Sequence, residues 1–261
     1  MTLPSSGAIS MYDINLEFNR GYSMSSYIGT RYWNPPNSGG ASTVTTGLFA
    51  SSFLNFNDFY SKRGVTQLLA SHATSGVNQS TYTWTGQYFG EEHSSRVLVL
   101  IAALTGGGTI SSPKINGVTP TTITGATGGG IYRGVYYLAY PTVTSGSIQF
   151  TGSSSPLGAS FNLYALYGVS AAPVLSGSKT GAVTSFPTLS LQANDLAIYG
   201  DVNSATFSGT GILTDVVNYG NGTGNNPYTL ASLRAETAGN YTISDNQTTT
   251  GFPFYAVWRR A

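Results

Sequence analysis

The stretch Arg96-Val97-Leu98-Val99-Leu100-Ile101-Ala102-Ala103-Leu104 decides the fold class. After its leading arginine it is apolar without a break, so it has no polar face to turn to water. It reads as a strand in the middle of a sheet, covered on both sides. At eight residues, Val97 to Leu104 is far too short to cross a bilayer, which takes about 20. Upstream, Thr81-Tyr82-Thr83-Trp84-Thr85 alternates strictly, placing Tyr82 and Trp84 on one face of a half-buried strand. Further strand candidates are Thr81 to Tyr88, Ile131 to Tyr140, Ser147 to Thr151, Ser160 to Gly168, Thr188 to Gln192 and Asp195 to Asp201. Gly211 to Asn218, Thr229 to Glu236, Tyr241 to Ser244 and Phe252 to Trp258 complete the set. All are short, rich in Val, Ile, Thr and Tyr, and punctuated by Gly, Ser, Asn and Pro. No long segment from Thr66 onward keeps a 3.6-residue apolar period. The expected fold is all-β, a jelly-roll-like antiparallel β-sandwich over residues 65–261.

Composition bounds the function. Of 261 residues only 8% are charged, about a third of the usual share, and the formal net charge is +1. Such a chain has no basic field for a nucleic-acid backbone. It has no cysteine, hence no disulfide scaffold, thiolate zinc site or cysteine nucleophile. Gly, Ser and Thr number 33 each, yet aromatics are 13% and hydrophobic residues 40%, enough to build a core. The opening Met1-Thr2-Leu3-Pro4-Ser5 lacks the basic and apolar regions of a signal peptide. The expectation is a chain made in the cytoplasm, without membrane insertion, whose surface is hydroxyl, amide and aromatic.

Residues 1–64 carry a different pattern, repeated three times. The copies are Ile9-Ser10-Met11-Tyr12-Asp13-Ile14, Tyr22-Ser23-Met24-Ser25-Ser26-Tyr27 and Leu54-Asn55-Phe56-Asn57-Asp58-Phe59. Each places a capping Ser or Asn between two apolar residues at hydrophobic-staple spacing, and Asp13 and Asp58 fall at the third helical position. Glycine, proline or serine ends each helix within two or three turns, and helices that short are marginal alone. With a Gly/Ser/Thr-rich loop at Asn37 to Gly47, the segment is expected to hold a poor core and to be stabilised by packing elsewhere.

The chemistry of catalysis is thin. His72 and His93 lack ligand spacing, and Glu91-Glu92-His93 sits in an extended segment that sends neighbouring side chains to opposite faces. The acidic pairs Asp195/Asp201 and Glu236/Asp245 have no feature that singles out a glycosidase dyad. Gly106 to Gly108 and Gly128 to Gly130 are not followed by Lys-Ser/Thr, so they read as turns rather than phosphate loops. No catalytic, metal or cofactor site is expected. Binding fits better: a sugar site needs an aromatic face and amide or hydroxyl partners. Tyr219, Asn225, Asn226 and Tyr228 supply both kinds within one loop, and Tyr132, Tyr136 and Tyr137 form a second aromatic group.

Leu3-Pro4-Ser5-Ser6-Gly7-Ala8-Ile9-Ser10-Met11-Tyr12-Asp13-Ile14-Asn15-Leu16-Glu17 resembles the opening of many tailed-bacteriophage virion proteins. The later phrases Tyr22-Ser23-Met24 with Arg31, and Phe56-Asn57-Asp58-Phe59-Tyr60-Ser61-Lys62, follow in the same order. The sequence departs from that pattern at Ser61, where glycine is usual, at Ser52-Phe53-Leu54-Asn55, and in a longer insertion at Pro35 to Thr46. The resemblance implies a virion structural protein: a short tail fibre, tail-tip or baseplate component, or alternatively a capsid decoration protein. Residues 1–64 would dock on other virion proteins through Ile9, Ser10, Met11, Asp13, Ile14, Tyr22, Tyr27, Leu54, Asp58, Phe59 and Tyr60. The β domain would face the host surface and its glycans, and the assembly expected by analogy is a homotrimer. A free carbohydrate-binding lectin is the reading from another class.

Overall fold

The computed structural model describes residues 7–18, 22–28, 31–34, 45–49, 54–59, 63–64, 67–90, 92–106, 108–128, 130–153, 157–179, 181, 185–202, 207–209, 212–219, 228–235, 237–245 and 252–260. The chain divides into two units, Met1–Thr66 and Gln67–Ala261. Described strands pair antiparallel throughout.

The N-terminal unit holds α1 (Met11–Phe18) and 3-10 turns at Met24–Tyr27 and Phe56–Phe59. Three short strands, β1 (Arg31–Asn34), β2 (Thr45–Leu48) and β3 (Arg63–Gly64), make a sheet in the order β2-β1-β3. The end of the segment read as loop, from Thr45, is therefore strand, because its backbone pairs with Arg31–Asn34.

The C-terminal unit begins with β4 (Gln67–Ser75), β5 (Thr81–Tyr88), β6 (Val97–Thr105) and β7 (Ile110–Ile115). It continues through β8 (Thr121–Gly128), β9 (Ile131–Ala139), β10 (Ser145–Gly152) and β11 (Gly158–Leu166). These eight form a five-stranded sheet, β4-β11-β6-β9-β8, and a three-stranded sheet, β5-β10-β7. Every residue of β6 and β11 is buried. The uninterrupted apolar run at Val97 thus lies where its composition demands, at the centre of a sheet covered on both faces.

A second series follows: β12 (Leu175–Ser178), β13 (Leu189–Leu191), β14 (Leu196–Val202), β15 (Phe207–Ser208) and β16 (Ile212–Tyr219). Then come β17 (Tyr228–Arg234), β18 (Gly239–Tyr241), β19 (Ser244–Asp245) and β20 (Phe254–Trp258). They make another five-stranded sheet, β12-β20-β14-β17-β16, with the pairs β13-β18 and β15-β19 beside it.

The two five-stranded sheets share a core. Val97 and Val99 of β6 and Tyr164 of β11 belong to one buried cluster with Leu196 and Ile198 of β14 and Trp258 of β20. On its outer face the first sheet is covered by the three-stranded sheet, with Trp84 edge-on to Phe161 at 5.1 Å. The second sheet is covered by Phe186, Leu189, Leu191, Phe207 and Ile243, which pack on Tyr199, Leu233 and Val257. Where one two-sheet sandwich was expected, four layers are stacked. The extra interface exists because β6, β9 and β11 carry apolar residues on both faces, and a second apolar sheet must cover the one turned from β5-β10-β7.

Candidate functional site

In the N-terminal unit the cap-and-staple pattern has a direct physical result at α1. The Ser10 N–H and hydroxyl both donate to the Asp13 carboxylate, at 2.8 and 2.6 Å, while the Asp13 N–H donates to Ser10 Oγ at 3.2 Å. This reciprocal box satisfies two donors that a helix start leaves orphaned. The Ser10 hydroxyl, then its N–H, holds the Asp13 carboxyl below the ordinary aspartate value. At the third copy the Asn55 N–H donates to the Asp58 carboxylate at 2.7 Å. The second copy differs. Ser23 makes no side-chain cap and shares a hydrogen bond with Ser25 Oγ at 2.7 Å instead. Tyr22 is 64% exposed, so Tyr22/Tyr27 is not a staple; Met24, two residues on, packs on the core in its place.

The expected docking residues are mostly spent inside the unit. Ile14, Tyr27, Phe49 and Phe59 form a small buried cluster, and Ile9, Met11, Met24 and Leu54 pack against it. Tyr27 meets Phe59 edge-on at 5.4 Å, and Phe49 tilts onto Phe59 at 4.5 Å. Ile14, Tyr27 and Phe59 have no exposed surface left for a partner, which corrects their assignment as docking contacts. The segment expected to bury little of its own apolar surface buries these residues against one another. Sequence alone could not show this, because staple spacing marks a helix start whether the pair faces its own core or a partner. Among the described residues, those the unit presents are Tyr12, Tyr22, Ile28 and Phe56, each at least 40% exposed. Of these only Tyr22 was among the expected contacts. Tyr60 lies outside the described residues.

In the C-terminal unit Tyr219 and Tyr228 are Cα partners closing the β16–β17 ladder; Asn225 and Asn226 lie outside the described residues. The same end of the unit gathers the ends of other ladders, at Thr105–Gly158, Thr105–Ile131 and Gly128–Ile131. Both halves meet there: Ile101 and Arg133 line one cavity with Asp201, Leu230 and Phe254. The connecting segments 76–80, 106–109, 129–130, 153–157, 203–206, 220–227 and 246–253 contain no Asp, Glu, Lys, Arg or His. Tyr132, Tyr136 and Tyr137 do not make one platform. Tyr136 is buried, while Tyr137 points to the opposite face and packs against the shared core. Burial, followed by the neighbouring Tyr132, pushes the Tyr136 phenol well above its ordinary value.

Charged residues at both ends of the unit hold backbone segments in place. Arg96 is buried and donates to the carbonyls of Tyr140, Gly90, Thr142 and Val143 at 2.7–2.8 Å. Glu92 accepts from the Val143 N–H at 3.0 Å, and His93 Nδ1 pairs with Ser95 Oγ at 2.8 Å. Asp195 accepts from the Gln192 N–H at 2.8 Å and pairs with Arg259 at 3.4 Å, and Asp201 accepts from the Phe252 N–H at 2.8 Å. Among the described residues no group of three His, Asp or Glu side chains could hold a metal ion. No described helix is long and apolar enough to cross a membrane. Neither family models, curated proteins nor solved structures give a match to this chain.

Proposed function

We propose that the protein is a structural component of a tailed-phage virion, built as a docking unit followed by a displayed β unit. The observation that carries this reading is the exposure of Tyr12, Tyr22, Ile28 and Phe56 on a unit of 66 residues that already has its own core. We read four large apolar side chains left exposed on so small a unit as contacts that a partner covers. The phrases at residues 3–17 and 56–62 that resemble tailed-phage virion proteins supply the class of partner, other virion proteins. The tail, tail-tip or baseplate is the location this reading favours, in a homotrimer. The strand order of the first half pairs first with eighth, second with seventh and third with sixth, and we read this nesting as the jelly-roll plan. The uncharged, amide- and hydroxyl-rich end that bears the Tyr219–Tyr228 ladder is the face we assign to a host glycan.

The test is incorporation into particles. Changing Tyr12, Tyr22, Ile28 and Phe56 together to serine leaves the buried cluster untouched, so the protein should fold. It should then be missing from purified virions, as judged by immunoblot and immunogold microscopy. A folded quadruple variant that enters particles at the wild-type level refutes the docking role.

A further inference from the structure

The two series of strands in the C-terminal unit repeat one plan. Counting strands within each half, the first five-stranded sheet runs 1-8-3-6-5 and the smaller sheet 2-7-4. In the second half β18 and β19 lie end to end, separated by two residues, and together occupy position seven. One pairs with the second strand, β13, and the other with the fourth, β15. With that identity the second half also runs 1-8-3-6-5 and 2-7-4.

The match extends to individual residues. Val97 pairs with Ala139 and Leu166, and Leu196 pairs with Arg234 and Trp258, which fixes the alignment of the central strands. On that alignment a break in register between Thr122 and Thr124 of β8 falls at the same place as one between Thr214 and Val216 of β16. Immediately after it, Thr124 pairs with Val135 and Val216 with Leu230, again equivalent positions. The turn before the third strand is also shared. The Arg96 N–H donates to the His93 carbonyl at 2.9 Å and the Asp195 N–H to the Gln192 carbonyl at 3.1 Å. The carbonyls of Arg96 and Asp195 then accept from Tyr140 and Ala235 at 3.0 and 2.9 Å. A bulge and a turn reproduced in register are specific features of a fold, since each inserts or redirects a single residue.

The halves also meet through the same face. Val97 and Leu196, Val135 and Leu230, and Leu166 and Trp258 are equivalent pairs, and all six side chains lie in the shared core. Beyond the last strands, Val169 and Arg260 bridge antiparallel; they lie three residues past Leu166 and two past Trp258. An antiparallel bridge between nearly equivalent positions is what a two-fold relation produces.

We propose that the C-terminal unit is a fused homodimer: two copies of one eight-stranded sandwich, joined in a single chain, that bind each other isologously through the inner face of the five-stranded sheet. The partner of each inner face is a second copy of the same fold, and the chain supplies it in cis. This rests on strand order and register, independently of any role on a particle. Equivalent halves have interchangeable termini. Native residues 167–174 carry the chain from β11 to β12, so a segment of the same length should carry it from β20 to β4.

The experiment is a transposed full chain in the order 1–66, 175–261, a five-residue Gly/Ser linker, then 67–174. Residues 259–261 with the linker restore the native eight. A second version carries fifteen linker residues. Both should melt cooperatively, by circular dichroism and tryptophan fluorescence, within about 5 °C of the native order. If only the longer linker folds, the ends are not equivalently placed and the two-fold relation is wrong. If neither folds, the halves are not interchangeable and the proposal falls.

Discussion

Replacing Arg96 with methionine removes the guanidinium while keeping an unbranched apolar side chain in a site that is 1% exposed. Four carbonyls lose a charged donor: Tyr140 at Nε, Gly90 at Nη1, and Thr142 and Val143 at Nη2. A buried acceptor left bare costs about 1–3 kcal/mol, and one that water can reach costs less. The Gly90 bond is buried and the other three are partly buried, so the gross loss is about 4–5 kcal/mol. Part of it is offset, because the substitution also ends the cost of keeping a cation out of water. That cost is visible in the Arg96 pKa, which burial pushes down against the opposing influence of Tyr167 and Glu92. The net expectation is a destabilisation of about 3 kcal/mol. In urea this is a midpoint shift of roughly 1–1.5 M at an m-value near the top of the small-protein range, with m itself unchanged. Arg96→Lys should fall between, since three ammonium donors cannot serve four carbonyls in a fixed fork. The assay is equilibrium unfolding of the full chain followed by far-UV circular dichroism. A loss under about 1 kcal/mol for Arg96→Met would show that water replaces the guanidinium at all four carbonyls, and the pinning role would be wrong.

Two further perturbations act within the second sheet. A Cβ at Gly200 would collide with the Phe254 ring and with Leu230, both in the shared core. Gly200→Val should therefore cost about 1–3 kcal/mol by overpacking, and a neutral result in the same urea assay would mean that the interface between halves is loose. Tyr199 is buried with its hydroxyl unpaired; burial, then Tyr255, raises its phenol well above the ordinary value. Below a pH of about 10 both folded and unfolded chains keep this proton, and above it only the unfolded chain releases it, so stability falls as pH rises. Tyr199→Phe should be neutral or slightly stabilising at pH 7 and should flatten the alkaline decline in melting temperature. An unchanged alkaline slope would place the titrating group elsewhere.

The strands of the C-terminal unit missed in the sequence share a physical feature. Central strands were legible: β6, β9, β11, β14, β17 and β20 each lie between two neighbours and carry apolar residues on one or both faces. In the C-terminal unit the missed strands β4, β7, β8, β12 and β15 all lie at sheet edges, although the edge strands β5 and β16 were read; in the N-terminal unit β1 was missed despite lying between β2 and β3. An edge strand buries less, so its apolar pattern is diluted. Ile110–Ile115 even contains Pro113, which an edge tolerates because one side of its backbone pairs with nothing. The segment Tyr241 to Ser244, read as one strand, straddles the gap between β18 and β19. At the candidate site, the spacing of Ser10 and Asp13 was enough to read the cap. Which of the flanking apolar residues would face outward was not, because that depends on Phe49, a residue outside the repeated pattern whose ring closes over Phe59.

The two halves carry different side chains at equivalent positions, and the corner residues Arg96 and Asp195 show how the fold permits this. They occupy equivalent positions, one residue before the third strand of each half, and both are buried. Yet one is a cation gathering four carbonyls, while the other is an anion that accepts a backbone N–H and pairs with Arg259. The fold requires only that the loops meeting at this corner be tied together. A donor fork and an acceptor carboxylate both do so, provided the facing backbone presents carbonyls in one half and an N–H in the other. The inner face behaves likewise: Leu166 and Trp258 fill equivalent places with different volumes, and the shared core needs only their sum. Strand order, bulge and turn depend on packing and satisfied hydrogen bonds, which different side chains can supply. The same reasoning extends to Asp201: like the corner ions Arg96 and Asp195, it satisfies a backbone group that the fold leaves open, here the Phe252 N–H.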